Sequence, residues 1–270
     1  MNNKVKIAVD AMGGENAPKK IIKGIKLSLK QNVDNYFYIF GKRSLIEDEI
    51  KNNNFISKNF EIIDTKDTIS DDESPLSAAK KSKETSMWKA IEFLKNKKAD
   101  ITLSAGNTGA MLVISRLLLN NIKGINKPAL AGLWPSKNNM NIVLDLGANI
   151  VCDEKNLCDF ASMGSALFKS LFKNEMPKVA LLNVGLEENK GNDVLKKSFS
   201  IMKKNNIKNF DFTGYIEGNH IMDGNVDVII TDGFTGNIAL KTAEGTANFI
   251  TSNIKKSLNK FSLLFSYFSL

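Results

Sequence analysis

Strand-like apolar runs and amphipathic helical stretches alternate along the chain from its first residues. VKIAVD at 5–10 is a short apolar run. A helix is expected from Ala17 through Gln31, with Ile21, Ile22, Ile25 and Leu29 along one side. YFYIFG at 36–41 reads as a second strand ended by glycine, and a charged helix follows through Lys51. NFEIID at 59–64 is a third strand. A helix from about Ser86 to Lys97 precedes the strand-like DITLSAG, and another helix follows Asn107. MNIVLDLGAN and KVALLNVG repeat the pattern of an apolar run opening into a glycine turn. VDVIITDGFTGN at 226–237 does so again, ahead of a long helix.

These strands lack the period-two polarity of a half-exposed sheet, so they are buried on both faces. Strand and helix in strict alternation then predict an α/β protein with a mainly parallel sheet covered by helices on both sides. In such sheets ligands bind beyond the carboxyl ends of the strands. Here those ends are rich in small and polar residues: Asp10–Gly14, Ser104–Gly109, Asp145–Asn149, Asn183–Gly185 and Asp232–Asn237. One glycine after a strand is ordinary turn chemistry, whereas five ends of this composition point to one shared polar site.

Composition narrows the class. With 270 residues, 43% hydrophobic and 24% charged, the chain has the make-up of an ordinary globular protein of one large or two small domains. No run approaches the roughly 20 apolar residues of a spanning helix, and Lys4 leads directly into a strand without a signal-peptide core. A cytoplasmic protein is therefore expected. Cys152 and Cys158 with a single histidine, His220, do not make the paired ligand set of a structural zinc site, so packed reduced thiols and no metal are expected. The net charge of +8 comes almost wholly from lysine, Arg43 and Arg116 being the only arginines. Without a zinc finger, RNP-type motif or basic heptad segment, no nucleic acid partner is expected. An acidic carrier protein or an anionic membrane surface fits the charge equally well.

The loops point to anions. A glycine loop that opens a helix offers free N–H groups and a helix dipole to a negative group. SAGNTGA before MLVISRLLL suits this, although Asn107 and Thr108 also serve as plain caps. DGFTGNIALK repeats the geometry, with Lys241 one turn beyond Asn237. Neither G-x-x-x-x-G-K-[ST] nor G-x-G-x-x-G with a following acidic residue occurs, which disfavours an NTPase or a standard dinucleotide-binding dehydrogenase.

DAMGGENAP at 10–18, SAGNTGA at 104–110, LDLGAN at 144–149, LLNVGLEENKG at 181–191 and DGFTGNIALKTAEG at 232–245 resemble, in order, the signatures of the phosphate acyltransferase (PlsX) family. SPLSAAKKSKETSM at 74–87 resembles that family's basic segment more loosely, with Lys80 where arginine is usual. The resemblance covers about residues 5–250. It implies transfer of a fatty acyl group from acyl carrier protein to inorganic phosphate, giving acyl phosphate for phospholipid synthesis. It further implies no cofactor, a homodimer, peripheral membrane contact and a downstream glycerol-3-phosphate acyltransferase. The implied fold is a Rossmann-like three-layer α/β/α, related to phosphotransacetylases and to the isocitrate and isopropylmalate dehydrogenases, here as a single domain over 1–270.

Within that resemblance, phosphate is assigned to the loop Gly106, Asn107, Thr108 and Gly109 with help from Lys83 or Lys241. The thioester carbonyl is assigned to Asn107 or Asn237. Asn107, Asn237 and Lys241 are the catalytic candidates. Asp10, Gly13, Gly14, Asn149, Asp232, Gly233, Thr235 and Gly236 complete the substrate site. For Asp10 and Asp232 a role in orienting amides or lysines stands beside a chemical one. Asn149 and Glu217 fall in family motifs without an assigned step, and His220 reads as a loop residue. Met12, Met111 and Met163 read as core or pocket filler.

Family members generally continue through a further glycine-rich segment and a strand, so the resemblance implies a domain lacking its usual C-terminal part. Phe261, Leu264, Phe265 and Phe268 fall on one face of a tip helix over 250–270, either packing on a partner or lying on a membrane. Two other functions stand beside the transferase. One is a truncated, non-catalytic module that binds acyl carrier protein or membrane. The other is an NAD(P)- and metal-dependent decarboxylating dehydrogenase of the related fold, whose arginine clamp two arginines make hard to build.

Overall fold

In a computed structural model of the chain, residues 4–80, 83–173, 176–204 and 209–267 are described, with side chains as far as residue 258. They group into two compact units, Met1–Asn121 and Ile122–Leu270.

The first unit alternates strand and helix as the hydrophobic pattern requires: β1 (Lys6–Asp10), α1 (Lys19–Gln31), β2 (Tyr36–Gly41), α2 (Arg43–Asn52), β3 (Phe60–Asp64), α3 (Pro75–Lys80), α4 (Ser86–Lys95), β4 (Ile101–Ser104) and α5 (Thr108–Leu118). Its sheet has the order β3-β2-β1-β4 and is wholly parallel. Successive side chains point to opposite faces. Ile7 and Val9 of β1 therefore pack with Ile22 and Ile25 of α1, while Ala8 packs with Phe40 and Ala90 on the other face. That double burial explains the absence of polar alternation in VKIAVD. The chain leaves β1 towards β2 on one side and returns at β4 on the other. The crevice beyond β1 and β4 is thus a topological switch point, the position at which such sheets take ligands.

The second unit comprises β5 (Ala131–Pro135), β6 (Met140–Leu144), α6 (Glu154–Phe172), β7 (Lys178–Asn183), α7 (Asp193–Lys204), β8 (Asp211–Glu217), a 3-10 turn at Gly218–His220, β9 (Val228–Ile230) and α8 (Gly233–Tyr267). The sheet order is β5-β6-β9-β7-β8, with β5 antiparallel and the other neighbours parallel. Ile142 and Leu144 face α6, where Phe160 and Phe168 are almost fully enclosed. Val143, Ala180 and Ile229 face the opposite side, against Trp134, Ile216 and Ala239 of α8. Truncating Phe160, which has no exposed surface, to alanine is worth roughly 3–5 kcal/mol of stability. A capping box starts α6, Asp153 accepting from the Asn156 N–H at 2.8 Å while the Asn156 side chain accepts from the Asp153 N–H at 3.1 Å.

The mainly parallel α/β architecture is the expected one, and it is carried by two sheets. The backbone of α8 runs on to Tyr267, but the side chains of Phe261, Leu264 and Phe265, and all of Phe268, lie outside the described residues.

Candidate functional site

In the first unit, Asp10 and Ser104 are register partners at the ends of β1 and β4. Asp10 is buried, and its carboxylate accepts from Ser104 Oγ at 2.7 Å and from the Met12 N–H at 3.1 Å. Ser104 Oγ in turn accepts from the Gly106 N–H at 3.1 Å. This chain of bonds holds the loop 10–14 against the loop 104–109. The two touch through backbone, since a Cβ at Gly13 would stand 2.8 Å from Gly106 N and 2.7 Å from Asp10 Oδ2. Only glycine permits that approach. Gly14 lies against the Ala105 carbonyl, and Gly109 against the Pro75 ring.

Asn107 is the N-cap of α5, its Oδ1 accepting from the Ala110 N–H at 3.0 Å. Its Nδ2 points to the carbonyls of Ser70, Asp71 and Glu73 at 3.4, 3.1 and 2.7 Å. The side-chain amide is thus committed to the protein on both ends, and it fixes the segment 70–73. What remains at the mouth of α5 is backbone, the first-turn N–H groups of a helix. Lys83 is exposed, its ammonium 6.0 Å from the centre of the Trp88 ring.

The second unit is organised by a hub of hydrogen bonds. Asp145, at the end of β6, has no exposed surface. Its Oδ1 accepts from the N–H groups of Leu130, Gly147 and Ala148 at 3.0, 3.2 and 3.0 Å. Its Oδ2 accepts from the N–H and the Nδ2 of Asn149, both at 2.7 Å. Asn149 Nδ2 also donates to the Pro128 carbonyl at 2.7 Å, and the Asn149 carbonyl accepts from the Gly233 N–H at 2.8 Å. Asn149 therefore ties the β6 loop to the start of α8. Gly236 completes the junction, since a Cβ there would stand 1.9 Å from the Asp145 carbonyl oxygen. Gly233 packs on the Asn149 backbone in the same way.

Asp232 accepts from Thr235 twice, from its N–H at 2.8 Å and from its hydroxyl at 2.9 Å. Both Asp10 and Asp232 thus orient local amides and hydroxyls. Asn237 is exposed, its side chain 3.6 Å from where a Cβ of Gly147 would lie. Among the described residues its amide has no hydrogen-bond partner. One turn on, Lys241 is exposed and pairs with Glu244 at 2.8 Å.

His220 Nδ1 lies 2.6 Å from Asp223 Oδ2, and Lys137 Nζ lies 2.6 Å from Asp223 Oδ1. The Lys137 and His220 hydrogen bonds hold the Asp223 carboxyl below its ordinary range. Glu217 ends β8, just before the turn that carries His220. Met12 packs on Gly41, while Met111 and Met163 are partly buried in hydrophobic clusters. Burial pushes the Cys152 thiol up, and that of Cys158 up to about 11. Neither is a poised nucleophile. Among the described residues no group of three or more His, Cys, Asp or Glu side chains could hold a metal ion.

Comparison with known proteins fixes the family. A family model described as Fatty acid synthesis protein matches residues 5–265. A phosphate acyltransferase from Pelagibacter ubique (strain HTCC1062) is 57% identical over 258 residues, covering 96% of this chain and 77% of its own. The chain belongs to the phosphate acyltransferase family. Another member, from Xanthobacter autotrophicus (strain ATCC BAA-1158 / Py2), is 39% identical over 96% of this chain and 73% of its own length. The fold extends beyond the phosphate acyltransferases. A phosphotransacetylase from Streptococcus pyogenes superimposes with a TM-score of 0.66 at 14% identity, over 92% of this chain and 83% of that one.

Proposed function

We propose that this phosphate acyltransferase moves a fatty acyl group from the thioester of acyl carrier protein to inorganic phosphate. The observation that carries the reading is the 57% identity to a phosphate acyltransferase across 96% of the chain. The chemistry suits the residues. A phosphate oxygen attacks the thioester carbonyl, and the resulting oxyanion collapses with loss of the carrier thiolate, which takes up a proton. Acyl phosphate and free carrier thiol are the products. Phosphate itself is the nucleophile, so none is required of the protein. The leaving thiol has a reference pKa near 8.5 and needs no strong acid to depart.

Phosphate is assigned to the backbone N–H groups of Thr108 and Gly109 that open α5, with Lys83 as counter-charge, the Gly106 N–H being held by Ser104 Oγ. For the thioester carbonyl, the uncommitted amide of Asn237 is a better donor than Asn107, whose Nδ2 faces three carbonyls. A single donor of this kind is worth about 10²–10³ in kcat. Asn237→Ala is expected to lose that much with unchanged Tm, whereas Asn107→Ala loses activity together with Tm.

The reading extends to a homodimer at the inner face of the cell membrane that supplies a glycerol-3-phosphate acyltransferase. Exposed Ile254 and Leu258, one turn apart on α8, support a packing surface there. No helix among the described residues is long and apolar enough to cross a membrane. The deciding assay uses the purified chain with palmitoyl-acyl carrier protein, trapping acyl phosphate with hydroxylamine. Phosphate-dependent hydroxamate is expected. A folded sample that forms none, or forms it equally without phosphate, overturns the reading.

A further inference from the structure

The second unit contains a groove of about 1280 Å³, larger than the roughly 300–1,000 Å³ of ordinary small-molecule pockets. Trp134, Leu182 and Ile221 line one side. Its other wall is α8, which presents Ala239, Thr242, Ala243, Thr246 and Ala247, with Ile250 furthest along the helix. These residues recur at three- and four-residue steps, so the face is small from Ala239 to Ala247, with Ile238 before that stretch and Ile250 after it. At the start of α8 the lining turns polar, with Asp232 and Thr235. Asp232 accepts from Thr235 in the first turn of α8, just ahead of Asn237.

We propose that this groove is the acyl-chain channel, and that the small residues of α8 set how long a chain is accepted. The inference rests on the acyl-transfer reading above. A thioester whose carbonyl is held at the start of α8 must direct its tail away from those polar loops. The groove is an apolar path that begins there. Its length also fits. From Thr235 to Ile250 the helix rises about 22 Å at about 1.5 Å per residue. An extended alkyl chain advances about 1.25 Å per carbon, from C–C bonds of about 1.5 Å and angles near 111°, so about 18 carbons fit. A second copy of the chain is the competing occupant, and the experiment below separates the two.

The helix then acts as a ruler. Ala243 lies about 12 Å along α8 from Thr235, equivalent to about ten carbons, and Ala247 about 18 Å, equivalent to about fourteen. Ala243→Phe should leave octanoyl transfer within about twofold of wild type and cut dodecanoyl and palmitoyl kcat/KM by at least about tenfold. Ala247→Phe should spare dodecanoyl as well and penalise only palmitoyl. Ala247 is exposed, whereas Ala243 is half-buried against the cluster around Trp134 and Ile221, so Tm is measured for both variants and Ala247→Phe carries the test if Ala243→Phe is unstable.

The test measures kcat/KM for the three acyl carriers in both variants. It adds binding of the fluorescent fatty acid cis-parinarate and its displacement by palmitate, together with size-exclusion mass. A cutoff that moves with the substituted position establishes the channel. Equal losses at every chain length, or no loss, overturn it. Equal losses with a change of mass assign the groove to a second copy instead. If wild type forms no acyl phosphate yet binds parinarate, and Ala243→Phe abolishes that binding, the transfer reading fails and the channel stands. If wild type forms none and parinarate does not bind, or binds equally to Ala243→Phe, both fail. If turnover is normal while parinarate binding and the length profile ignore both variants, the channel fails and the transfer reading stands.

Discussion

Asp145→Asn isolates the hub that organises the β6 loop. The substitution keeps volume and shape and changes one carboxylate oxygen into an NH2 group. Five hydrogen bonds converge on the carboxylate, three on Oδ1 and two on Oδ2. The asparagine oxygen best replaces Oδ1, leaving its NH2 facing the N–H and the NH2 of Asn149. Two charge-assisted bonds are then lost, at about 1.5–3 kcal/mol each, in a site with no exposed surface. The expected destabilisation is about 3–5 kcal/mol after relaxation, a large part of a net stability of about 5–15 kcal/mol. Tryptophan emission reads it out, because the chain has two tryptophans and only Trp134 belongs to the second unit. In a Trp88→Phe background, urea unfolding followed at Trp134 should shift its midpoint down by at least about 1 M for slopes of about 1–3 kcal/mol per M. A shift below about 0.3 M would show that the five contacts contribute little and that the loop is held by other means.

Three further outcomes follow from the same geometry. Gly13→Ala drives a Cβ into Asp10 Oδ2 and the Gly106 backbone, separating the two loops, and should cost about 10² in turnover; kinetics within threefold of wild type would refute it. Cys158, raised from 9.0 to about 11, should be alkylated by iodoacetamide at pH 8 about 100-fold more slowly than in urea, and equal rates by peptide mass mapping would overturn that burial argument. Asp223 has a depressed pKa, so its stabilising effect is present above the ordinary carboxylate value and lost as pH falls through the lower folded one. The Tm gap between wild type and Asp223→Asn should therefore be open at neutral pH and close as pH falls below the ordinary carboxylate range, and a gap that widens on acidification contradicts the sign.

The strands legible in the sequence are those buried on both faces, such as KIAVD and KVALLN, because their apolar runs are uninterrupted. β5 was not legible. AGLWP is an antiparallel edge strand, with Leu133 half-exposed and proline at its end, so neither period nor composition marks it. β8 is obscured by an irregularity, since Val179 pairs with Phe212 and Ala180 with Gly214, leaving Thr213 as an extra residue. The division into two sheets depends on pairings between distant residues, Asp10 with Ser104 for instance, and no local pattern carries such a pairing. The glycine loops were legible because glycine is the residue that backbone contact demands. Asp145 is plain in LDLGAN, but no sequence pattern marks its carboxylate as a hub, because its five donors come from backbone and from Asn149. The groove along α8 gave no signal, since alanine and threonine at helical spacing do not read as an apolar face.

The strand-end residues divide by where their polar groups go, and that division separates building from chemistry. Asp10, Ser104, Asn107, Asp145, Asn149 and Asp232 all bond to the protein and hold backbone in place. Their work is completed when the chain folds, before any substrate arrives. Preorganised donors of this kind stabilise a developing charge without reorganising during the reaction. Loss of such a residue must therefore appear first in stability and then in turnover. Asn237 is placed differently, exposed beside Gly147 with no partner for its amide among the described residues. Removing it should leave stability alone and act on kcat only. A matched series of Tm and kcat for Asn107→Ala, Asn149→Ala and Asn237→Ala decides the matter. If all three lie on one line of activity against stability, the side chains only build, and the oxyanion is held by backbone alone.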